Sequence, residues 1–237
     1  MTLAVRRGNV WRVRLDRPQA ANALSSELVE TLHQVLDEAA AVRPEALVLE
    51  GNPQHFAAGF DLTGLSSESD ASLAHRFLRI GLLLERLATA PYLTVAVVEG
   101  AAIGAGADMV AACDHRLVGP DARFGFPGAR FGVVLGTARL RAVAEPVTFL
   151  GGDTVTAAAA GRLVTGTPGD LSGILDAWAR IDPATRPSLL AETRPLHDPD
   201  AALAALTRSV ITPGLHDRLT TYRRRVLSAR TPSEELE

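Results

Sequence analysis

The sequence predicts an α/β fold, because strand-like apolar segments alternate with amphipathic helical segments. Residues 10–15 alternate apolar and basic side chains, which is typical of a half-buried strand. Residues 46–49 and 93–98 are continuous apolar runs, which are typical of strands covered on both faces. Apolar residues recur at helical spacing over 28–39 and again over 73–87. This order favours parallel strands joined by right-handed helical crossovers.

The length of 237 residues suits one α/β domain with an appendage. Beyond Gly152 the sequence changes character, because residues 154–160 are rich in alanine and the remainder contains short helical stretches separated by prolines. We therefore predict a core over residues 1–165 that carries the functional site, and a helical C-terminal region over residues 166–237.

Composition argues against several classes of partner. The net charge of −3 gives no general attraction for nucleic acid or anionic membranes, and no run of about 18 apolar residues occurs. Cys113 is the only cysteine, so an internal disulfide and a cysteine-based metal cluster are both excluded by count. We expect a cytoplasmic protein without a bound metal.

Two segments rich in small residues, 56–65 and 100–108, each follow a predicted buried strand. Parallel strands would bring both segments to one sheet edge. In the second, small side chains leave exposed the first N–H groups of a helix, which lack intrahelical partners and can donate to an anion. Alternatively, its glycines only allow close packing of helix on sheet. Their spacing fits neither the dinucleotide fingerprint nor the phosphate loop.

The motifs of this chain, taken together, resemble those of the enoyl-CoA hydratase/isomerase (crotonase) superfamily over roughly the first two thirds of its length. The matching segments are Asp-Arg-Pro at 16–18 with Asn-Ala-Leu at 22–24, Phe-Ala-Ala-Gly-Phe-Asp-Leu at 56–62, residues 97–108, Cys-Asp-His-Arg at 113–116, and Ala-Arg-Phe-Gly-Phe-Pro at 122–127.

This resemblance implies a crotonase-like spiral of ββα units whose helical C-terminal region packs between subunits, giving a homotrimer or hexamer. It also implies an acyl-CoA substrate whose thioester oxygen accepts hydrogen bonds from the backbone N–H groups of Phe60 and Ala105. Coenzyme A would be part of the substrate, with no separate cofactor. Further residues that the resemblance places against the substrate are Ala58, Gly59, Asp61, Leu62, Gly104 and Gly128.

The acid–base residues depart from the family pattern. Hydratases of this family carry glutamates at the positions matching Asp108 and Gly128, so here Asp108 is the only carboxylate left to move a proton. Asp108 also has a structural interpretation, as an acid in the first turn of a helix. We interpret Asp61 as a loop-capping residue rather than a base, and we expect Glu99 and Glu145 to be exposed or paired.

We therefore expect an enzyme of the enoyl-CoA hydratase/isomerase type, a lyase or isomerase of fatty acid metabolism, in which an oxyanion hole stabilises a thioester enolate. The standard mechanism with two glutamates does not fit Gly128. The alternative is a crotonase-fold protein that binds acyl-CoA with other isomerase or decarboxylase chemistry, or without turnover. An unrelated nucleotide-binding module is a third hypothesis.

Overall fold

The computed structural model describes residues 2–144, 152–196 and 198–228. The strands are β1 (Leu3–Arg6), β2 (Val10–Leu15), β3 (Ala46–Glu50), β4 (His55–Ala57), β5 (Leu93–Val98), β6 (Ala101–Ile103), β7 (His115–Val118), β8 (Arg123–Gly125) and β9 (Thr154–Thr156). The helices are α1 (Ser26–Val42), α2 (Asp70–Ala88), α3 (Ala105–Ala111), α4 (Thr137–Val143), α5 (Leu171–Ala179), α6 (Arg186–Thr193), α7 (Pro199–Val210) and α8 (Leu215–Ser228).

The strands form two sheets. The larger has the order β1-β2-β3-β5-β7 and the smaller has the order β4-β6-β8-β9. Neighbours pair in parallel except at β1–β2 and β8–β9, which are antiparallel. In each pair of consecutive strands from β3 to β8, the first joins the larger sheet and the second the smaller. These ββα repeats confirm the predicted crotonase-like α/β architecture.

The predicted helices form where the local sequence favours them. The Ser25 side chain accepts a hydrogen bond from the Leu28 N–H at 3.3 Å, so Ser25 is the N-cap of α1. The helix ends at Val42; its C-cap, Arg43, has a left-handed backbone and is followed by Pro44. In α2, Ser69 and Ser72 form a reciprocal capping box.

The larger sheet is buried on both faces, as its continuous apolar runs predict. In β3, Leu47 and Leu49 point into the main core, whereas Ala46 and Val48 pack in a second cluster with Trp178 and other apolar residues of α5 and α6. The Trp178 indole N–H donates to the carbonyl of Glu45 at 2.8 Å. The helical C-terminal region therefore covers the outer face of the sheet.

Some local structure differs from the sequence-based prediction. The N-terminal strand β1 was not expected from its pattern, and it forms because β2 offers it an antiparallel edge. The alanine-rich stretch at 154–160 forms β9 followed by a turn of 3-10 helix at Ala157–Ala159, because β8 pairs with it. The boundary after residue 165 stays a prediction. Within the described residues, no helix is long and apolar enough to cross a membrane.

Candidate active site

The candidate site lies where the three parallel strands of the smaller sheet end. The strands β4, β6 and β8 are neighbours in that sheet, so the segments that follow Ala57, Ile103 and Gly125 leave from the same edge. These segments carry Phe60, Ala105 and Gly128 respectively. The topology therefore brings together three parts of the chain that are far apart in sequence, at the edge where ligands bind in many parallel sheets.

The first segment approaches the second more closely than a side chain would allow. Gly59 has φ +82°, and a Cβ there would lie 3.2 Å from the backbone nitrogen of Ala105 and would overlap the carbonyl oxygen of Ile103. Glycine is required at Gly59 for both the positive φ and the close contact. The peptide between Gly59 and Phe60 therefore lies directly beside the start of α3.

Both predicted donor groups lack an acceptor within the part of the chain that the structure describes. The Leu24 N–H donates to the carbonyl of Gly59 at 2.7 Å, and the Leu24 carbonyl accepts from the Asp61 N–H at 3.3 Å. This parallel bridge leaves the Phe60 N–H directed away from Leu24. Ala105 is the first residue of α3, where an N–H has no intrahelical partner. Among the described residues, neither N–H donates a hydrogen bond.

The Asp-Arg-Pro and Asn-Ala-Leu segments support the first loop. Arg17 donates to the carboxylate of Asp61 at 2.6 Å and to the carbonyl of Ala23 at 2.9 Å. The Asn22 side chain accepts from the Arg17 N–H at 2.8 Å and donates to the carbonyls of His55 and Phe56. The sequence singled out both segments without indicating this supporting role.

Asp61 is held as a carboxylate by its surroundings. Its side chain is buried, which by itself would raise the pKa of Asp61. Hydrogen bonds from the Thr63 N–H at 2.9 Å and from Arg17 outweigh burial, so the pKa of Asp61 lies below its ordinary value. This arrangement matches a loop-capping residue, because both carboxylate oxygens already have donors from the protein.

Asp108 is in the opposite situation. It lies in α3 with 5% of its surface exposed, and its Oδ1 atom accepts no hydrogen bond from the described residues. Burial raises the pKa of Asp108 well above its ordinary value, while the positive charge of Arg139 acts in the other direction. Gly136 packs directly on the carboxyl group, since a Cβ at Gly136 would overlap it. The acid is therefore covered by the segment that precedes α4.

Gly128 lies in a turn of 3-10 helix, Pro127–Phe131, and has no room for a side chain. A Cβ at Gly128 would lie 2.8 Å from the carbonyl oxygen of Val133, whose N–H in turn donates to the Gly128 carbonyl at 3.0 Å. The backbone of Val133 thus lies where a side chain at Gly128 would extend. Glu99 is exposed, as expected, and Glu145 lies outside the described residues.

The segment from Phe131 to Arg139 runs along one face of α2. The residues of α2 that meet this segment are four positions apart, so they lie on one face of that helix. The contacts are Phe131 with Phe77 at a ring-centroid distance of 6.4 Å, Leu135 beside Gly81, and an ion pair between Arg139 and Glu85. The Phe77 ring also stacks on Phe60 at 4.1 Å. Gly81, Glu85 and Arg139 were not identified from the sequence. For Glu85, the available signal was a charged residue on the apolar face of α2.

The C-terminal helices hold this segment in place. Arg218 of α8 donates to the carbonyl of Phe131 at 3.0 Å, and Ser209 of α7 accepts from the Val134 N–H at 3.0 Å. The Tyr222 ring lies 4.9 Å from that of Phe131. The remaining residues singled out by the sequence, Ala58, Leu62 and Gly104, are half-buried around the same sheet edge.

Comparison with known proteins gives consistent matches. A family model described as "Enoyl-CoA hydratase/isomerase" matches residues 6–160. A solved structure of a putative enoyl-CoA hydratase/isomerase from Bordetella parapertussis has a TM-score of 0.87 and 38% identity, covering 98% of this chain and 100% of that chain. An enoyl-CoA hydratase from Mycobacterium avium, with a TM-score of 0.78 and 22% identity over 99% of both chains, shares the fold.

Curated relatives match over a shorter stretch. A probable enoyl-CoA hydratase of Mycobacterium tuberculosis is 37% identical over 138 residues, which is 58% of this chain and 55% of the relative. The 2,3-dehydroadipyl-CoA hydratase of Escherichia coli is 34% identical over 160 residues, which is 64% of this chain and 62% of the relative. The chain thus spans somewhat more than half the length of these relatives.

Proposed function

The chain belongs to the enoyl-CoA hydratase/isomerase family, and we propose from this premise that it acts on an acyl-CoA thioester through an enolate stabilised by the backbone N–H groups of Phe60 and Ala105. The observation that supports the proposal is that Gly59, which precedes Phe60, packs against the backbone nitrogen of Ala105, and that neither the Phe60 N–H nor the Ala105 N–H donates a hydrogen bond within the described part of the chain. The names of the relatives support a coenzyme A thioester as the substrate.

The chemistry explains why two fixed donors suffice. Negative charge collects on the thioester oxygen when a proton leaves the adjacent carbon or when water adds to a conjugated alkene. Removing one donor from such an oxyanion hole typically costs about 3 kcal/mol of transition-state stabilisation. The donors are main-chain groups, so the alanine side chain of Ala105 does not affect the hydrogen bond. In this proposal coenzyme A is part of the substrate and no other cofactor takes part.

Asp108 is the proposed proton carrier. Burial raises the pKa of Asp108, so its carboxyl group holds a proton more readily than an ordinary aspartate and can donate one as well as accept one, which suits a residue that must do both in one turnover. A single carboxylate favours proton transfer along the acyl chain, as in an isomerase, over hydration, which normally uses two acids. Because Gly136 covers Asp108, substrate binding must displace the segment between Gly132 and Gly136.

The test compares two reactions with matched variants. Purified protein is assayed for hydration of crotonyl-CoA and for isomerisation of a 3-enoyl-CoA, with Asp108→Asn as the test variant and Asp121→Asn, at an exposed position, as the control. We expect isomerisation to be the faster reaction and Asp108→Asn to lower kcat by about 10²–10⁴-fold. Unchanged turnover in Asp108→Asn would remove Asp108 from the mechanism.

A second candidate function is binding of acyl-CoA without efficient turnover. It is favoured by the Val133 carbonyl, which fills the place of a second acid, and by the burial of the Asp108 carboxyl group. Calorimetric titration with a set of acyl-CoA thioesters distinguishes the two functions. Tight binding of several thioesters with no product from any of them would favour this candidate over the enzyme.

We also propose a cytoplasmic homotrimer or hexamer. The family resemblance supports the assembly, and the single buried cysteine, Cys113, is compatible with a reducing compartment. Sedimentation equilibrium of the purified protein tests the assembly directly. A monomer at micromolar concentration would contradict it.

A further inference from the structure

Arg76 of α2 contacts the Phe60 loop, residues 58–69 between β4 and α2, at three places. Its side chain is only 11% exposed. The Nη2 atom donates to the carbonyl of Asp61 at 2.9 Å, and the Nη1 atom donates to the carboxylate of Glu68 at 2.8 Å. The guanidinium carbon lies 4.2 Å from the centroid of the Phe60 ring. One side chain of the helix therefore holds the loop that carries a proposed oxyanion donor.

The two hydrogen bonds of Arg76 join the ends of one segment. Asp61 is the residue after Phe60, and Glu68 lies two residues before α2 begins. A guanidinium holds its N–H donors in one rigid plane, so it can fix two acceptors relative to each other, whereas a lysine ammonium is a point charge on a flexible stem. Arg76 therefore fixes the segment 61–68 against the helix that follows it.

Phe60 is restrained through both its backbone and its side chain. Leu24 makes backbone hydrogen bonds to the residues on either side of it. The Phe60 ring stacks on Phe77 with an interplanar angle of 11°, and the Arg76 guanidinium lies over the same ring. Because these contacts act on the backbone and on the ring together, they limit the rotation that would turn the Phe60 N–H away from a substrate oxygen.

Arg79, three residues further along α2, makes a different connection. Its guanidinium donates twice to the carboxylate of Glu30 in α1, at 2.6 Å in both hydrogen bonds, so it joins two helices. Arg76 joins α2 to the Phe60 loop instead, and its Nε atom is buried without an acceptor among the described residues. A buried donor without a partner costs free energy, so the position of Arg76 is poorly explained by stability alone.

We propose that Arg76 is a positioning residue that holds the Phe60 N–H in the direction needed to stabilise the oxyanion. The inference rests on the proposed function, because it assigns Arg76 a role in the same oxyanion hole. Arg76 acts through the loop rather than by contact with the reacting atoms. A displacement of about 1 Å in a positioned group can cost about 10²-fold in rate, so losing this restraint should slow the reaction although the donor itself is still present.

The kinetic test applies the same substitution to both arginines. Arg76→Lys keeps the positive charge but loses the rigid bridge between Asp61 and Glu68, and Arg79→Lys is the matched control. Purified protein is assayed with crotonyl-CoA and with a 3-enoyl-CoA. We expect Arg76→Lys to lower kcat by about 10–10²-fold with KM nearly unchanged, because the oxyanion donor matters most in the transition state. Arg79→Lys should leave both constants unchanged.

A spectroscopic test measures the oxyanion hole without turnover. Acetoacetyl-CoA ionises to an enolate that is distinguished from the neutral form by its ultraviolet absorption, and fixed donors at the oxygen favour the enolate. The bound ligand is titrated with pH on the wild type and on both variants. In Arg76→Lys the pH of half-ionisation should rise by about one unit, which is about a tenfold loss of preference for the enolate. In Arg79→Lys it should equal that of the wild type.

A lower kcat and a higher pH of half-ionisation in Arg76→Lys, with neither change in Arg79→Lys, would support the inference. Equal results for the two variants, or a higher KM with unchanged kcat in Arg76→Lys, would overturn it. A wild type that binds acetoacetyl-CoA without favouring the enolate would reject the proposed function and this inference with it. An enolate that is favoured equally in the wild type and in Arg76→Lys would reject the inference alone.

A second pair of variants applies if Arg76→Lys does not fold. Glu68→Gln removes the carboxylate that anchors one end of the Arg76 guanidinium, and Glu30→Gln makes the same change at the partner of Arg79. Glu68→Gln should shift kcat and the pH of half-ionisation in the same directions as Arg76→Lys but by less, and Glu30→Gln should change neither. Wild-type values in Glu68→Gln would then overturn the inference.

Discussion

The two loops that leave neighbouring strands of the smaller sheet both lead to an aspartate, and the two aspartates are almost equally buried, with 3% of Asp61 and 5% of Asp108 exposed. Asp61 accepts hydrogen bonds on both oxygens, including one from a guanidinium, and its pKa is lowered. Asp108 has one oxygen that accepts no hydrogen bond from the residues that the structure describes, and its pKa is raised. Burial alone therefore does not determine what a carboxylate can do; its hydrogen-bond donors do.

The largest effect is expected where the two loops meet. Gly59→Ala places a Cβ against the Ile103 carbonyl and the Ala105 nitrogen, which should move the two N–H donors apart. We expect kcat/KM to fall by about 10²–10³-fold, the cost of losing one oxyanion donor. The measurement is steady-state kinetics with the preferred thioester.

Gly64→Ala is the control for this prediction. Gly64 also has a positive φ, in the same loop, but a Cβ there would come no closer than 3.9 Å to the Ser67 hydroxyl. It should therefore carry a similar backbone strain without separating the donors. Equal losses of activity in the two variants would mean that strain, not the distance between the loops, is responsible.

The same substitution should have opposite effects on stability at the two aspartates. At neutral pH, Asp61→Asn leaves the Arg17 guanidinium without its carboxylate and should lower the free energy of unfolding by about 3 kcal/mol. Asp108→Asn removes a carboxylate that burial disfavours, so it should leave stability unchanged or increase it. Urea denaturation measures both. A comparable loss of unfolding free energy in the two variants would contradict the expected difference between the two aspartates.

The pH dependence of these differences has a definite sign. The pKa of Asp61 is lowered, so its stabilisation is present above the ordinary aspartate value of about 3.9 and is lost as the pH falls toward the folded value. The pKa of Asp108 is raised, so its ionisation costs stability as the pH rises from about 3.9 through the folded value.

The advantage of Asp108→Asn should therefore shrink toward zero when unfolding is measured at successively lower pH from 7 to 4. The deficit of Asp61→Asn should persist over that range and shrink only when the pH falls below about 3.9. An advantage of Asp108→Asn that grows in acid would show that Asp108 is ionised more easily in the folded protein than in the unfolded chain.

Much of the fold and part of the candidate site could be predicted from the sequence. The remainder could not, for physical reasons. Apolar periodicity predicted β2, β3, β5, α1 and α2, because local patterns determine which faces are buried. The family resemblance singled out Phe60, Ala105 and Asp108 as candidate site residues. The partners of Asp108 could not be predicted, because Gly136 and Arg139 reach it only through the packing of residues 131–139 on α2. The sequence showed that this stretch departs from the family without showing where its backbone would run.

The smallest effect is expected at Gly128. Gly128→Ala places a Cβ 2.8 Å from the Val133 carbonyl and should destabilise the fold by about 1–2 kcal/mol. Gly173→Ala is the control, since Gly173 lies inside α5 with nothing within 4 Å of its Cβ position, and alanine there should stabilise the protein slightly. Denaturation midpoints measure both. A tolerated Gly128→Ala would mean that the segment at Val133 can move aside.

The central claim is that the N–H groups of Phe60 and Ala105 donate to one thioester oxygen, and infrared spectroscopy of a bound acyl-CoA labelled with ¹³C at its carbonyl tests it most directly. We expect the carbonyl stretch to lie at a lower wavenumber on the protein than in water, because two fixed donors weaken the C=O bond, and Gly59→Ala should reverse part of the shift. A bound thioester with the same carbonyl frequency as in water would contradict the assignment.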